Sequence, residues 1–278
     1  MPWPFDRDYM QLALLAGVVV GGCAPLIGAF LVQKRMSLMG DGLGHVAFAG
    51  VAAGLLLEVW PIWTALIAAV GGAVLIEWLR THGRASGDLA LALCFYGGIA
   101  LAVVLASRAG AGSVNVLPYL FGSILTVTWG DVRVVIALGA IIVGTLLLAG
   151  RALFAIVLDE ESARVAGLPV DVLNTLLAAL TAVTIVAAMR IVGVLLVAAL
   201  MVIPVATSRL LARSFAATIA GAAAVGVLSV VVGLAAARQW EVAPGGAIVL
   251  TAVAAFAVTS LAVGVGRRAG AGAVVPHL

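Results

Sequence analysis

Residues 36–60 read MSLMGDGLGHVAFAGVAAGLLLEVW, an apolar stretch that is long enough to cross a membrane as one helix. Two ionisable side chains, Asp41 and His45, lie near the start of this stretch. An α-helix turns once in about 3.6 residues, so positions four apart lie on one face, about one turn from each other. Ionisable groups at membrane depth are costly and usually have a function, often on an ion pathway. The stretch therefore predicts a transmembrane helix whose carboxylate and imidazole can bind one divalent cation.

The composition of the whole chain places it in the membrane. Of its 278 residues, 64% are apolar and 10% are charged, and the mean hydropathy is +1.27. Soluble domains contain about 45–50% apolar and about 25% charged residues. The sequence therefore predicts one polytopic transmembrane domain over residues 1–278. The net charge of +3 is explained by basic residues on short loops, which set the orientation of membrane proteins.

The hydropathy pattern predicts an all-α transmembrane helix bundle of about nine spans, with eight to ten compatible with the sequence. Each apolar segment has the length of roughly 17–25 residues that a hydrocarbon core of ~30 Å requires. The boundary between the sixth and seventh segments is marked only by Arg190. The predicted spans cover residues 9–32, 38–57, 61–79, 88–107, 132–150, 171–188, 191–211, 215–237 and 244–266.

The basic residues predict the orientation of the bundle. Ten fall at one membrane side and five at the other, and the richer side is expected to be cytoplasmic. The N-terminus is then outside and the C-terminus inside. The cytoplasmic set is Lys34, Arg35, Arg80, Arg84, Arg151, Arg164, Arg209, Arg213, Arg267 and Arg268, and the outer set is Arg7, Arg108, Arg133, Arg190 and Arg238.

The outer connection, about residues 108–131, is too short and too interrupted by glycine and proline to be a span. Its pattern predicts a short interfacial helix over 118–126, with Tyr119, Phe121 and Trp129 at the depth of the lipid headgroups. Two interpretations remain open with equal weight. The segment is either an amphipathic linker held by its aromatic residues or a landing surface for a soluble partner outside the membrane.

The cytoplasmic connection, residues 151–170, contains the acidic run Asp159, Glu160 and Glu161. Carboxylates favour the positive end of the helix dipole, so the run predicts a short helix over about 159–166. Gly167 is the expected C-cap, and Pro169 then opens the next span. Taken alone, this helix is more simply interpreted as a linker than as a functional element.

Four segments together resemble a known family. They read SLMGDGLGHVAFAGVA (37–52), YLFGSILTVTWGDV (119–132), LDEESARVAGLPVDVLN (158–174) and RIVGVLLVAALMVIPVATSRLL (190–211). Their order and spacing are similar to those of membrane permeases from the zinc/manganese/iron-uptake family of ATP-binding-cassette importers. The resemblance covers nearly the whole chain. It implies an architecture like that of vitamin-B12 and siderophore importers, in a bacterial plasma membrane.

The resemblance also implies roles for particular residues. Asp41 and His45 match the pair that binds the metal on the translocation path. Residues 159–169, which we call the coupling segment, match the element that docks into the ATPase subunit. Its implied contact residues are Asp159, Glu160, Glu161, Ala163, Gly167, Leu168 and Pro169.

The resemblance implies three protein partners as well. They are a separate ATP-binding cassette ATPase subunit, an external metal-binding lipoprotein or periplasmic protein, and a second permease copy. The chain departs from the family pattern at one point. Gly42, Leu43 and Gly44 stand between the two metal ligands where the family most often has Ala-Leu-Ser. Each glycine costs about 1 kcal/mol of helix propensity relative to alanine, so the regularity of this helix is an open question.

The ligand chemistry is compatible with this assignment. One aspartate and one histidine are too few for zinc, which takes about four ligands, whereas two copies of the chain would supply four. Nitrogen and oxygen ligands suit zinc, manganese or ferrous iron as a transported ion, and no permanently bound cofactor is expected. The structural alternative is that Asp41 caps a helix start and His45 is a hydrogen-bonded core residue.

The sequence offers no energy source or reaction centre of its own. A phosphate-binding loop needs GxxxxGK[ST], and the sole lysine, Lys34, follows Gln33 instead. No catalytic Ser/His/Asp or Cys/His constellation appears, so the chain is not expected to be an enzyme. The main rival is a secondary metal transporter, which would usually show more buried carboxylates and inverted repeats. An intramembrane enzyme is the weaker rival.

Overall fold

The computed structural model describes residues 4–83, 87–108 and 117–271, with side chains as far as residue 265. These residues form helices and connecting turns, and no strand occurs among them. The eleven helices are α1 (Asp8–Gln33), α2 (Met39–Leu56), α3 (Pro61–Thr81), α4 (Gly87–Arg108), α5 (Leu117–Phe121), α6 (Trp129–Leu158), α7 (Glu160–Val165), α8 (Val170–Ala188), α9 (Val194–Arg209), α10 (Phe215–Trp240) and α11 (Pro244–Ala271).

The number of membrane-crossing helices agrees with the prediction. Eight helices are long and apolar enough to span a bilayer, and α9 is a ninth, shorter apolar helix of 16 residues. At a rise of 1.5 Å per residue, α9 extends over about 24 Å, less than a full hydrocarbon core. The weakly marked boundary near Arg190 is a turn at residues 189–193, which separates α8 from α9. The predicted all-α transmembrane bundle is therefore confirmed.

The outer connection differs from its prediction. Among residues 117–131, the helix is α5, which ends at Phe121 instead of continuing to Thr126, because Gly122 adopts a φ of +75°. Trp129 belongs to α6, which begins three residues before the predicted fifth span. Tyr119 is buried beneath Arg190 rather than placed among headgroups. Residues 109–116 of the predicted segment lie outside the described residues.

The helices divide into an inner and an outer group. In α1, α2 and α8, most residues of the apolar window are buried, whereas in α4, α6 and α11 most are exposed or only partly buried. The exposed side chains on the outer helices are large and apolar, for example Leu148 of α6, which is 91% exposed. Such surfaces suit lipid or another apolar helix and are unstable in water. The inner group therefore forms the protein core, and the outer group faces the membrane.

Polar contacts fasten the two ends of the bundle. At the predicted cytoplasmic end, Lys34 after α1 forms an ion pair with Glu160 of α7. At the predicted outer end, Arg190 in the α8–α9 turn pairs with Asp131 of α6 at 3.0 Å. Gly193 lies in the same turn with φ +87°, and a side chain there would collide with the backbone at Leu120. The turn and the α5 segment are therefore packed backbone to backbone.

The orientation gives a testable expectation. We replace Cys23 and Cys94 by alanine and introduce Gln239→Cys at the outer end or Ser162→Cys in α7, both at exposed positions. A membrane-impermeant maleimide applied to intact cells should label position 239 and leave position 162 unlabelled until the cells are lysed. Labelling of position 162 in intact cells would reverse the orientation derived from the arginines.

Candidate metal site and coupling segment

The predicted metal ligands lie on the helix that the sequence assigns to them. Helix α2 is continuous from Met39 to Leu56, so the glycines beside Asp41 and His45 do not interrupt it. Asp41 occupies the first turn and His45 the second, in the predicted cytoplasmic half of the helix. Both are half-buried, as is Phe48 one turn further on. Spacings of four and three place all of them on one partly open face of α2, as the sequence predicts.

The glycines of α2 allow the neighbouring helices to approach closely. A side chain at Gly42 would collide with Leu91 of α4, and one at Gly44 would press against the carbonyl of Val194 in α9. Close helix contacts through small residues are the usual packing mode in membranes. The glycines therefore lose helix propensity but gain contacts with α4 and α9, and this packing keeps α2 regular.

The surroundings of Asp41 and His45 do not match the structural alternative. The helix start at Leu38 receives no side-chain cap, so Asp41 does not cap α2. Among the described residues, neither Asp41 nor His45 has a hydrogen bond or an ion pair in the structure. The His45 ring instead contacts the edge of Phe95 at a centroid distance of 4.5 Å. Both polar groups are thus half-buried without a hydrogen-bond or ion-pair partner inside the described part of the chain.

The number of ligands within one copy is low. Among the described residues, no group of three or more His, Cys, Asp or Glu side chains could hold a metal ion. Asp41 and His45 are therefore an incomplete set in this chain. Since both lie on the partly open face of α2, a second copy could complete the set from outside.

The coupling segment forms the expected short helix. Asp159 is the N-cap of α7, and its carboxylate accepts hydrogen bonds from the backbone N–H groups of Glu161 and Ser162 and from the Ser162 hydroxyl. These bonds, led by the one from the hydroxyl, lower the pKa of Asp159 below its ordinary value. The helix ends at Val165 with Ala166 as its C-cap, and Gly167, the predicted C-cap, follows one position later. Its φ of +83° is the left-handed conformation typical of the glycine that follows a helix. Pro169 is the N-cap of α8, one position before the first turn where it was predicted.

The residues that the resemblance assigns to the coupling segment point in different directions. Asp159, Glu161, Gly167 and Pro169 are exposed, and Leu168 is half-buried. Ala163 is 4% exposed and packs into the core of this chain, so it anchors α7 instead of offering a surface. Glu160 turns inward to Lys34. The sequence predicts the helix but not which side chains face the cytoplasm.

The polar partners of Glu160 could not be predicted from the sequence. Its carboxylate lies 2.6 Å from Lys34 Nζ and 3.5 Å from an Arg80 guanidinium nitrogen, and it accepts a hydrogen bond from Asn174 Nδ2 at 3.2 Å. Arg80 also pairs with Glu77 at 2.7 Å, the ion pair that their spacing predicts. We call these five residues the ionic hub. The spacing of Glu77 and Arg80 predicts only that pair, and no spacing rule connects Lys34 with Glu160, which are far apart in the chain.

Comparisons with known proteins agree with this architecture. Residues 6–263 match the ABC 3 transport family. The chain belongs to that family. It is 32% identical over 250 residues to a manganese transport system membrane protein of Halalkalibacterium halodurans, which covers 90% of this chain and 86% of the relative. It is 31% identical over 245 residues to a high-affinity zinc uptake system membrane protein of Haemophilus influenzae, covering 88% of this chain and 94% of the relative.

A solved structure supports the same assignment. PsaBC from Streptococcus pneumoniae, in complex with Fab, superposes with a TM-score of 0.82 at 30% identity and covers 91% of each chain. The resemblance of the four sequence segments to a permease family of ATP-binding-cassette importers is therefore confirmed. This ABC 3 family member is a multi-pass membrane protein.

Proposed function

We propose that this chain is the membrane permease of an ATP-driven importer of divalent metal ions, with zinc as the first candidate and manganese or iron next. The observation that carries the proposal is the half-buried pair Asp41 and His45 on the partly open face of α2, neither of which has a hydrogen bond or ion pair among the described residues. Relatives of nearly the same length are named for manganese and zinc transport. Carboxylate and imidazole ligands suit these ions and do not select among them.

Two copies of the chain would complete the site. When the partly open faces of two α2 helices meet across a two-fold axis, they contribute two carboxylates and two imidazoles, the four ligands that zinc takes. The site remains transient because it is formed between copies, and an imported ion must leave as readily as it enters. The ion is the transported substrate, and the proposal includes no resident cofactor.

Energy comes from a separate subunit in this proposal. The exposed side of the coupling segment, which includes Glu161 and Val165, offers a short helix to an ATP-binding cassette ATPase at the cytoplasmic face. An external metal-binding protein, either a lipoprotein or a periplasmic protein, delivers the ion at the other end. The permease itself carries out no chemical reaction. It holds the ion and changes its accessibility from one side of the membrane to the other.

Reconstitution tests the proposal. Proteoliposomes that contain the permease, its ATPase subunit and the external binding protein should accumulate zinc or manganese when ATP is supplied on the ATPase side. Omitting the ATPase subunit or replacing ATP by a non-hydrolysable analogue should reduce uptake to the level of empty vesicles. Undiminished uptake without the ATPase subunit would show a secondary transporter instead.

A substitution at Gly167 tests the coupling segment within the same assay. A side chain at this position would meet nothing in this chain, so Gly167→Phe projects its ring to the cytoplasm. We expect it to reduce ATP-driven uptake by at least 10-fold while the permease remains inserted. Gly167→Ala is the matched control, because alanine in the left-handed conformation costs the same, about 1–2 kcal/mol, but does not add the phenyl ring. Equal uptake by both variants would mean that the surface at Gly167 does not take part in energy coupling.

A further inference from the structure

Glu160 belongs to the coupling segment, but its side chain is not part of the exposed surface that is proposed to dock to the ATPase subunit. It opens α7 next to the cap Asp159, yet its carboxylate is directed into the membrane domain, where it contacts residues from the ends of three other helices. A docking residue would keep its charge available to the partner. The charge of Glu160 is instead already neutralised within this chain.

The ionic hub has equal numbers of positive and negative charges and is partly buried. It contains the cations Lys34 and Arg80, the anions Glu77 and Glu160, and the amide of Asn174, which accepts a hydrogen bond from Lys34 and donates one to Glu160. The Lys34 side chain is 10% exposed and that of Glu77 is 3% exposed. The Glu160 side chain is 35% exposed, so its pair with Lys34 is partly buried and is screened less by salt than a pair of fully exposed charges.

The pKa values of the central pair agree with this geometry. Burial would raise the pKa of Glu160, but the hydrogen bond and the charge of Lys34 outweigh it and hold that pKa below its ordinary value. Burial lowers the pKa of Lys34, and Glu160 offsets part of that effect. Glu160 is therefore ionised near neutral pH, and its contact of 2.6 Å with Lys34 Nζ is the geometry that stabilises this charge.

Lys34 is joined to the metal helix by a stiff turn. Residues 34–38 connect α1 to α2, and backbone hydrogen bonds from Lys34 to Phe30 (2.9 Å), from Met36 to Leu31 (2.9 Å) and from Met39 to Met36 (3.0 Å) run through the turn. Arg35 adopts a φ of +60°, a conformation that few residues other than glycine take up. These hydrogen bonds leave the turn little conformational freedom. A displacement of Lys34 is therefore transmitted to the start of α2.

Space for such a displacement is present. A cavity of about 620 Å³ lies against the turn and is bordered by Arg80 and Glu160 on the side of the ionic hub and by Leu91 on the side of α4. Residues 34–39 line this cavity together with Arg80 and Glu160, so the described residues do not fill the space where the turn meets the hub. This arrangement allows the turn to follow α7 without a collision in the core.

We propose that Glu160 is a positioning residue: through Lys34 it carries movements of the coupling segment to the turn that begins α2, and so to Asp41 and His45. The inference rests on the proposed function, because it assumes that an ATPase subunit moves the coupling segment. It adds a physical route from that subunit to the metal ligands. Asp41 lies only seven residues after Lys34 in the chain.

The experiment measures the movement and the transport separately. In a variant lacking Cys23 and Cys94, spin labels are placed at position 37 in the turn and at position 228, an exposed site on α10. Distances are recorded in the complex with the ATPase subunit, with and without trapped nucleotide. Metal uptake, ATP hydrolysis and retention of the ATPase subunit are measured on the same variants without labels.

Nucleotide should change the distance between the two labels in the parent variant, and Glu160→Gln and Lys34→Gln should abolish that change. Both substitutions should lower metal uptake per ATP hydrolysed by at least 10-fold, while the ATPase subunit remains bound. The exchanged pair Lys34→Glu with Glu160→Lys should restore uptake per ATP to within about fivefold of wild type. Asp171→Asn, which changes an exposed carboxylate at the same end of the bundle outside the implied docking residues, is the matched control and should behave as wild type.

Three results would overturn the inference. They are wild-type uptake per ATP in Glu160→Gln, loss of the ATPase subunit from that variant, which would make Glu160 a docking contact, and failure of the exchanged pair to recover. A failure of the proposed function gives a different pattern. In that case the wild-type complex changes its label distance with nucleotide but accumulates neither zinc nor manganese.

Discussion

Asp41→Asn and His45→Ala should each reduce metal uptake by about 100-fold or more, because changes even to residues that surround a metal ligand cost about 10–100-fold. Asp41→Asn preserves the shape of the side chain and removes the charge that attracts the cation. His45→Ala removes the neutral nitrogen ligand on the same face of α2. Because neither side chain has a hydrogen bond or ion pair among the described residues, both variants should fold and insert like the wild type.

The double variant provides the sharper test of a shared site. If Asp41 and His45 bind one ion, removing both should be barely worse than removing either, since residues that act as a unit are strongly non-additive. Uptake of radioactive zinc and manganese by the three variants measures this directly. Glu58→Gln, an exposed carboxylate just beyond the other end of α2, is the control and should transport normally. Normal uptake by Asp41→Asn would mean that Asp41 and His45 have a structural role and do not bind the transported ion.

Asp131→Ala should cause the largest loss of stability. Asp131 is 2% exposed and pairs with Arg190, whose side chain is 13% exposed, so its removal leaves a buried guanidinium without a counter-charge. Breaking such a pair costs about 3–5 kcal/mol. Arg190 Nε already lacks a hydrogen-bond partner among the described residues, which leaves little scope for compensation. Asp131 also accepts from Thr128 in the capping box of α6, which adds to the loss.

A second ion pair of the same length serves as the control. Arg164 and Asp171 are also 3.0 Å apart, but their side chains are 61% and 59% exposed. Exposed pairs contribute about 0–1 kcal/mol, so Asp171→Ala should change stability little. Thermal unfolding of both variants in the same detergent compares them directly. Equal losses would mean that burial does not set the strength of the Arg190–Asp131 pair.

Replacing both Asp131 and Arg190 distinguishes the cost of an unpaired buried charge from the cost of lost packing. In Asp131→Ala combined with Arg190→Leu, no charge is left buried without a partner, and apolar replacements of buried ion pairs are often neutral or stabilising. The double variant should therefore recover most of the stability that Asp131→Ala loses. If it does not, the contact of Arg190 with the Tyr119 ring contributes more than the ion pair.

Much of the architecture could be predicted because the membrane imposes a length and a polarity on each helix. The nine apolar helices, the short helix α7 and the left-handed Gly167 just after it all follow from local pattern. The α5 segment could not be predicted in the same way. Its end at Gly122 depends on close backbone contacts with the α8–α9 turn, and no local pattern encodes those contacts.

The sequence by itself determined the membrane class and the all-α fold, because these depend on composition and periodicity, and it placed Asp41 and His45 on one face of one helix. The family followed from the resemblance of four segments. Only the tertiary structure decided that the glycines of α2 are packing sites, that Ala163 is buried and that Glu160 faces Lys34. Each of these depends on helices that are distant in the chain and adjacent in space. Contacts of that kind are set by three-dimensional packing, and no local periodicity records them.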